Sequence, residues 1–234
     1  MIIPEEIKKI IKIFEEEDLE AYIVGGCVRD LLRKKTPNDW DVATNAKPEK
    51  VQQIFKKNKY GTFYENDFGT VGIVLPEDSK RKFYNIVEVT TYRTESVYTN
   101  RRHPEKVEWA KTIEEDLARR DFTMNAIAIK PLSNDIKIID PYNGRDDIEK
   151  QTIRAVGEPE KRFLEDALRM MRAVRLATVL NFKIEIKTRK AIKENSQLIE
   201  EISKERIRDE LLKIITSDNP HEGIELLREL GLLK

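Results

Sequence analysis

One cysteine in 234 residues, Cys27, leaves no partner for a disulfide within the chain. The two histidines, His103 and His221, are far apart in sequence, so a Cys/His zinc site is not expected. Net charge is lacking as well. The 43 Lys+Arg balance 43 Asp+Glu, which excludes a chain basic from end to end but allows a local basic face. No run approaches the roughly 18 apolar residues of a membrane span. The N-terminus, MIIPEEIKKIIKIFEEE, is acidic and helix-periodic, unlike a signal peptide. No membrane role is expected, and the expected setting is a reducing compartment, the cytoplasm. What is present suffices for a core: 39% of residues are hydrophobic, against 37% charged.

The first part of the chain mixes helix and strand. Ile7, Ile10, Ile11 and Phe14 fall at helical spacing, and Ala21–Val24 reads as a strand that ends in Gly25-Gly26. CVRDLLRKK resumes a helical pattern, Thr36-Pro37-Asn38 is a turn, and Asp39–Ala43 reads as a second strand. A helix with Pro48 in its first turn follows, then β-like stretches at Lys59–Tyr64, Thr70–Leu75 and Phe83–Thr91, with a turn at Pro76–Ser79. Residues 92–111 lack periodicity and read as a long loop. Thr112–Ala118 begins a helix, Phe122–Ile129 fits helix or strand, and Ile136–Asp140 is a short strand. Beyond PYNGRDD the period is helical: Phe163–Leu180, Lys187–Glu194, Glu205–Thr216 and Pro220–Leu230. The expected class is α+β followed by all-α, divided near residues 140–155.

Two features suggest chemistry. Asp39 and Asp41 are two apart on an expected strand, so both carboxylates face one way while Trp40 faces the core. Such a pair repels unless something positive lies between, and a hard cation such as Mg²⁺ suits its oxygens. Two solvated charges on an edge strand would leave the same trace. The Gly25-Gly26 turn before a helix bearing Arg29 would let backbone approach a phosphate, though a plain turn has the same spelling. It is neither a G-K-[ST] loop nor a G-x-G-x-x-G fingerprint.

The segment GGCVRDLLRKKTPNDWDVAT resembles the opening motif of the class II tRNA nucleotidyltransferases, the CCA-adding and A-adding enzymes, a motif shared with bacterial poly(A) polymerases. EVTTYRTESVYTNRRHPEKVEW, DLARRDFTMNAIA, IDPYNGRDDI and FLEDALRMMRAVRLA resemble the family's later motifs, in order, so the resemblance covers roughly residues 20–185. It implies a nucleotidyltransferase head with a mixed sheet and flanking helices over 1–140. A helical neck for base recognition and the start of a body would fill 141–234.

The implied reaction is attack of a tRNA 3′-hydroxyl on the α-phosphate of ATP or CTP, with loss of pyrophosphate. Two Mg²⁺ ions about 4 Å apart would serve such an in-line displacement. Asp39 and Asp41 would hold them, with Glu88 as the third carboxylate. Gly25, Gly26, Arg29 and Arg120 would contact the triphosphate, with Asp121 and Asn125 as orienting groups. On an expected helix, Asp166 and Arg169 are i, i+3 neighbours. By resemblance they read the base: cytosine and adenine each offer an amino donor beside a ring-nitrogen acceptor, which an Asp acceptor and an Arg donor match. Guanine and uracil invert the pattern and leave polar groups unpaired. Arg172 and Arg175 continue this set. Segment 161–190 carries nine basic residues against three acids, a basic face suited to RNA phosphates.

Family members continue past a segment like Gly231-Leu232-Leu233 into helices that grip tRNA, so nucleotide binding with weak tRNA affinity is expected. Residues 92–111 match a loop the family associates with terminal A addition, which favours CCA or A addition over CC alone. A poly(A) polymerase acting on other RNA, or a non-catalytic nucleotide-binding fragment, are the alternatives. Cys27 reads as a small packing residue.

Overall fold

The computed structural model describes residues 1–66, 69–77, 85–95, 107–132 and 135–233. The chain divides into two compact units. The first comprises Met1–Thr94, Val107–Arg120 and Asn125–Pro141; described residues of the second are Glu95, Asp121–Met124 and 142–233.

The first unit begins with α1 (Glu5–Glu15), which buries Ile7, Ile10, Ile11 and Phe14 and has acids in its first turn, where the helix dipole favours them. β1 (Ala21–Val24), α2 (Gly26–Leu32), β2 (Asp41–Thr44) and α3 (Pro48–Lys57) follow. Then come β3 (Gly61–Asn66), β4 (Thr70–Val74), β5 (Ile86–Thr91), β6 (Arg93–Glu95) and β7 (Val107–Trp109). α4 (Ile113–Ala118), β8 (Ala128–Pro131) and β9 (Ile136–Ile139) complete it, and a 3₁₀ turn (Thr123–Asn125), whose Thr123 and Met124 belong to the second unit, precedes β8. Seven strands form one sheet in the order β3-β4-β5-β2-β1-β8-β9. It is mixed: β2 and β5 run parallel, while β1–β2, β1–β8, β3–β4, β4–β5 and β8–β9 are antiparallel. One face of its middle strands is core, with Val42, Val71, Ile73, Val87 and Val89 all buried. On the other face Asp41, Glu88 and Thr90 are half-buried.

Three expectations change here. The second strand begins at Asp41, with Asp39 in the bend before it, although the Glu88 amide still donates to the Trp40 carbonyl at 3.0 Å. The stretch 122–129 is neither one helix nor one strand. It is a buried 3₁₀ turn leading into β8. The ends of the expected 92–111 loop pair as the β6–β7 ribbon, and residues 96–106, His103 among them, lie outside the described residues, as do residues 78–84.

The second unit contains α5 (Gly144–Glu149), β10 (Thr152–Ile153), α6 (Pro159–Glu165), α7 (Leu168–Leu180), β11 (Lys183–Ile184), α8 (Ile186–Asn195), α9 (Lys204–Ile215) and α10 (Pro220–Glu229). It is helical apart from the short parallel β10–β11 ribbon, which the sequence reading lacks. The expected continuous helix 163–180 is broken. Asp166 is extended (φ −149, ψ 105), and its Oδ1 accepts from the Leu168 amide at 3.1 Å, starting a new helix. An aspartate that serves a free amide in this way competes with helix continuation. Among the described residues no helix is long and apolar enough to cross a membrane.

Candidate active site

Of the residues singled out from the sequence, Gly25, Gly26, Arg29, Asp39, Asp41, Glu88 and Arg120 lie in the first unit. Asp166, Arg169, Arg172 and Arg175 lie in the second.

The sheet register assembles the first group. Asp41 pairs with Val24 on β1 and with Glu88 on β5. Residues paired across adjacent strands share a face, so the two carboxylates are neighbours although far apart in sequence. Gly25 follows Val24 with φ +76, a backbone conformation that L side chains rarely adopt. A Cβ there would stand 3.0 Å from Asp41 Oδ2 and 3.3 Å from Arg120 Nη1. The glycine turn therefore lies directly against the aspartate and the arginine. A side chain on Gly26 would meet the Arg29 guanidinium at 3.6 Å.

Both arginines are pinned. Arg29 donates through Nε and Nη2 to Asp30, each at 2.9 Å, and through Nη1 to Asn125 Oδ1 at 3.2 Å. Arg120 donates to Asp116 Oδ2 at 2.9 Å through Nη2, while Arg119 takes Oδ1 at 2.8 Å. Asp116 is fully buried on α4. Burial alone would raise its pKa, but Arg120 and Arg119 outweigh that and hold the carboxyl below its ordinary value. Asp116 is not singled out from the sequence, and its local signal there is the i, i+3 and i, i+4 spacing to the two arginines.

The carboxylates feel one another. Burial first, then the charge of Asp39, pushes Asp41 up to about 6, against the opposing pull of Arg120 and Arg29. Burial, then Asp41, Glu65 and Asp39, pushes Glu88 up to about 7. Glu65 is a second missed residue. It occupies a bulge in β3, between Tyr64, which pairs with Val71, and Asn66, which pairs with Thr70. No sequence signal marks that bulge. Cys27 is buried, its thiol 3.0 Å from the Val24 carbonyl and its pKa pushed up by burial, as suits a packing residue.

Among the described residues, no three His, Cys, Asp or Glu side chains converge tightly enough to hold a metal ion by themselves. The donors present still fit one. Mg²⁺ is commonly held by one or two carboxylates plus substrate phosphates and water. Asp39 and Asp41 are hard oxygen donors whose mutual repulsion is visible in the raised pKa of Asp41.

In the second unit, Arg169, Arg172 and Arg175 lie along α7. Each meets an acid: Arg169 Nη1 to Glu165 at 2.6 Å, Arg172 Nη2 to Asp121 at 2.6 Å, Arg175 Nε to Glu210 at 2.6 Å. Asp166 is not a helical i, i+3 neighbour of Arg169. Its Oδ2 accepts from Arg206 at 2.7 Å. Of the expected basic face, Lys161, Lys183, Lys187 and Lys190 are exposed, but the α7 arginines are not an open part of it. Arg169 is buried and Arg175 nearly so, and buried guanidinium groups need carboxylates to offset their desolvation. Glu165 is local, whereas Asp121 and Glu210 come from elsewhere in the sequence, out of reach of a local charge count.

The family described as the poly A polymerase head domain matches residues 21–154, and that described as a probable RNA and SrmB-binding site of polymerase A matches 181–234. A CCA-adding enzyme of Ligilactobacillus salivarius (strain UCC118) is 44% identical over 240 residues, covering 99% of this chain and 55% of that protein. The crystal structure of the Bacillus stearothermophilus CCA-adding enzyme in complex with CTP superposes with a TM-score of 0.85 at 40% identity, covering 99% of this chain and 53% of that one. A tRNA nucleotidyltransferase complexed with a primer tRNA and an incoming ATP analog gives 0.77 at 30% identity, covering 95% and 60%. The chain thus spans about half the length of the curated relatives it matches.

Proposed function

The chain belongs to the family of the poly A polymerase head domain, and on that premise we propose that it transfers AMP and/or CMP from ATP or CTP to the 3′ end of tRNA, releasing pyrophosphate. The observation that carries this reading is the Val24–Asp41–Glu88 register, with the Gly25 turn and Arg120 against Asp41. In this reading the first unit is the catalytic head and the second carries the base-reading residues and the start of a body.

The bare turn at Gly25 and Gly26 lets the triphosphate lie against backbone, and Arg29 and Arg120 neutralise it. Asp30, Asn125 and Asp116 keep those two guanidinium groups in place before the nucleotide arrives, so little ordering is left to the reaction itself. Asp39 and Asp41 hold a divalent cation, Mg²⁺, which when bound offsets charge at the α-phosphate and favours ionisation of the attacking hydroxyl. Glu88 is the third acid of this group. In the second unit, Asp166 and Arg169 read the amino and ring-nitrogen edge of cytosine or adenine, supported by Arg172 and Arg175. The proposed substrates are cytoplasmic, and on this reading so is the protein.

Incubation with Mg²⁺, labelled CTP or ATP, and tRNA lacking CCA or ending in CC tests the reading. CMP on the first and AMP on the second is the expected result for CCA addition. AMP on the second alone would make it an A-adding enzyme. Long adenylate tracts on unrelated RNA would point to poly(A) polymerase, and no incorporation at all would overturn transfer.

A further inference from the structure

We propose that Phe63 is the platform on which the 3′-terminal base of the RNA primer stacks, an assignment that rests on the transfer reaction proposed above. The register defines a row across the open face of the sheet. Phe63 on β3 pairs with Gly72 on β4, Gly72 with Glu88 on β5, and Glu88 with Asp41 on β2. All four positions project to the same side. A Cβ on Gly72 would overlap the Phe63 ring, so the ring lies across β4 in the direction of Glu88. Phe63 is nevertheless 39% exposed, and it has apolar company on the same face in Val74 (40%) and Ile86 (42%). Phe63, Val74 and Ile86 thus form an apolar patch on the open face, with the ring two strands from Glu88, and a patch of this kind marks a place for a ligand to meet.

The chemistry decides which ligand. In the proposed step the primer 3′-oxygen bonds to the α-phosphorus, the bond from that phosphorus to the bridging oxygen breaks, pyrophosphate leaves, and the hydroxyl proton passes to solvent. The incoming and departing oxygens are roughly in line. The groups suited to the departing pyrophosphate, Gly25, Gly26, Arg29 and Arg120, lie on the β1 side of Asp41. The hydroxyl must therefore approach from the opposite side, over β5 and β4. The base attached to that terminal sugar then falls toward β3, where Phe63 is the aromatic group. Stacking accepts any base, which suits a primer whose terminal nucleotide changes as residues are added.

The test uses the full chain as wild type, Phe63→Leu and Phe63→Trp, with a primer RNA carrying 2-aminopurine at its 3′ end and a matched primer whose terminal sugar has no base. Leucine still covers Gly72, so folding is preserved, and melting curves check it. In wild type and Phe63→Trp the 2-aminopurine emission should be quenched on binding. In Phe63→Leu it should not be, and KM for the primer should rise about tenfold while KM for ATP stays the same. On the abasic primer wild type and Phe63→Leu should be equal. Equal primer KM values on the base-bearing RNA would overturn the proposal. So would an equal loss on both primers, which would reduce the ring to a cover for Gly72. A wild-type chain that transfers no nucleotide defeats the transfer reading itself; one that transfers normally and is indifferent to Phe63→Leu defeats the platform alone.

Discussion

Asp41 and Glu88 bind protons more tightly in the folded protein than an ordinary carboxyl does, because burial and neighbouring acids penalise their charge. The linkage has a definite sign. With folded pKa values of about 6 and 7 above the unfolded ones, their contribution is fully present at low pH and is lost as pH rises through those values. The metal-free protein should therefore melt lower at pH 8 than at pH 5.5, and added Mg²⁺ should restore part of the loss at pH 8 only. Asp41→Asn should raise the metal-free melting temperature at pH 8 by about 2–4 °C, the equivalent of about 1 kcal/mol at this length, while nucleotide incorporation falls by about 10³-fold or more. Thermal melts at both pH values with and without Mg²⁺, and an incorporation assay, check the pair of effects. Gly25→Ala acts on the same spot. It forces φ +76 on a side chain and sets a methyl 3.0 Å from Asp41 Oδ2, so ATP affinity by equilibrium dialysis should drop about tenfold or more.

α4 shows how an element can serve residues it does not itself contain. Its N-terminus is closed by a capping box between Thr112 and Glu115, and its buried Asp116 holds Arg119 and Arg120 just beyond its last turn. Asp116→Ala removes the carboxylate that both arginines share. The expected cost is about 3 kcal/mol, seen as a melting temperature lower by roughly 6–12 °C, together with weaker ATP binding from a less ordered Arg120. Elements of this kind also mark the limit of what the sequence discloses. α1, β1 and the glycine turn follow from local periodicity, and the strand alternation that singles out Glu88 between Val87 and Val89 is local too. That β5 should lie beside β2, and parallel to it, depends on α3, β3 and β4 coming between them, which no local pattern encodes. The break between α6 and α7 is invisible for the same reason. The apolar period runs unbroken through Asp166, and the groups that hold it out of the helix are the Leu168 amide and Arg206, forty positions on. The α7 arginines are legible as a basic cluster, but the pairing of Arg172 and Arg175 is not, since Asp121 and Glu210 reach them only through the fold.

Across the whole molecule 43 basic residues balance 43 acids, and the described ion pairs include both helical neighbours and distant partners. The two units carry separable tasks in the proposed reaction, and variants should separate them. Asp41→Asn in the first should keep ATP binding while losing transfer. Asp166→Ala in the second should keep transfer while admitting UMP and GMP relative to CMP and AMP by about 100-fold or more, because a site that pairs a base edge rejects mismatches strongly. Incorporation of each of the four nucleotides by the two variants, with parallel ATP titrations, gives both readouts. The lone parallel pairing within the seven-stranded sheet, β2 with β5, has a consequence during synthesis. A polypeptide emerging from the ribosome can fold its first glycine turn and both aspartates early, yet the opposing glutamate arrives only after an intervening helix and hairpin have been threaded into place. The carboxylate set therefore stays incomplete until β5 has docked beside β2.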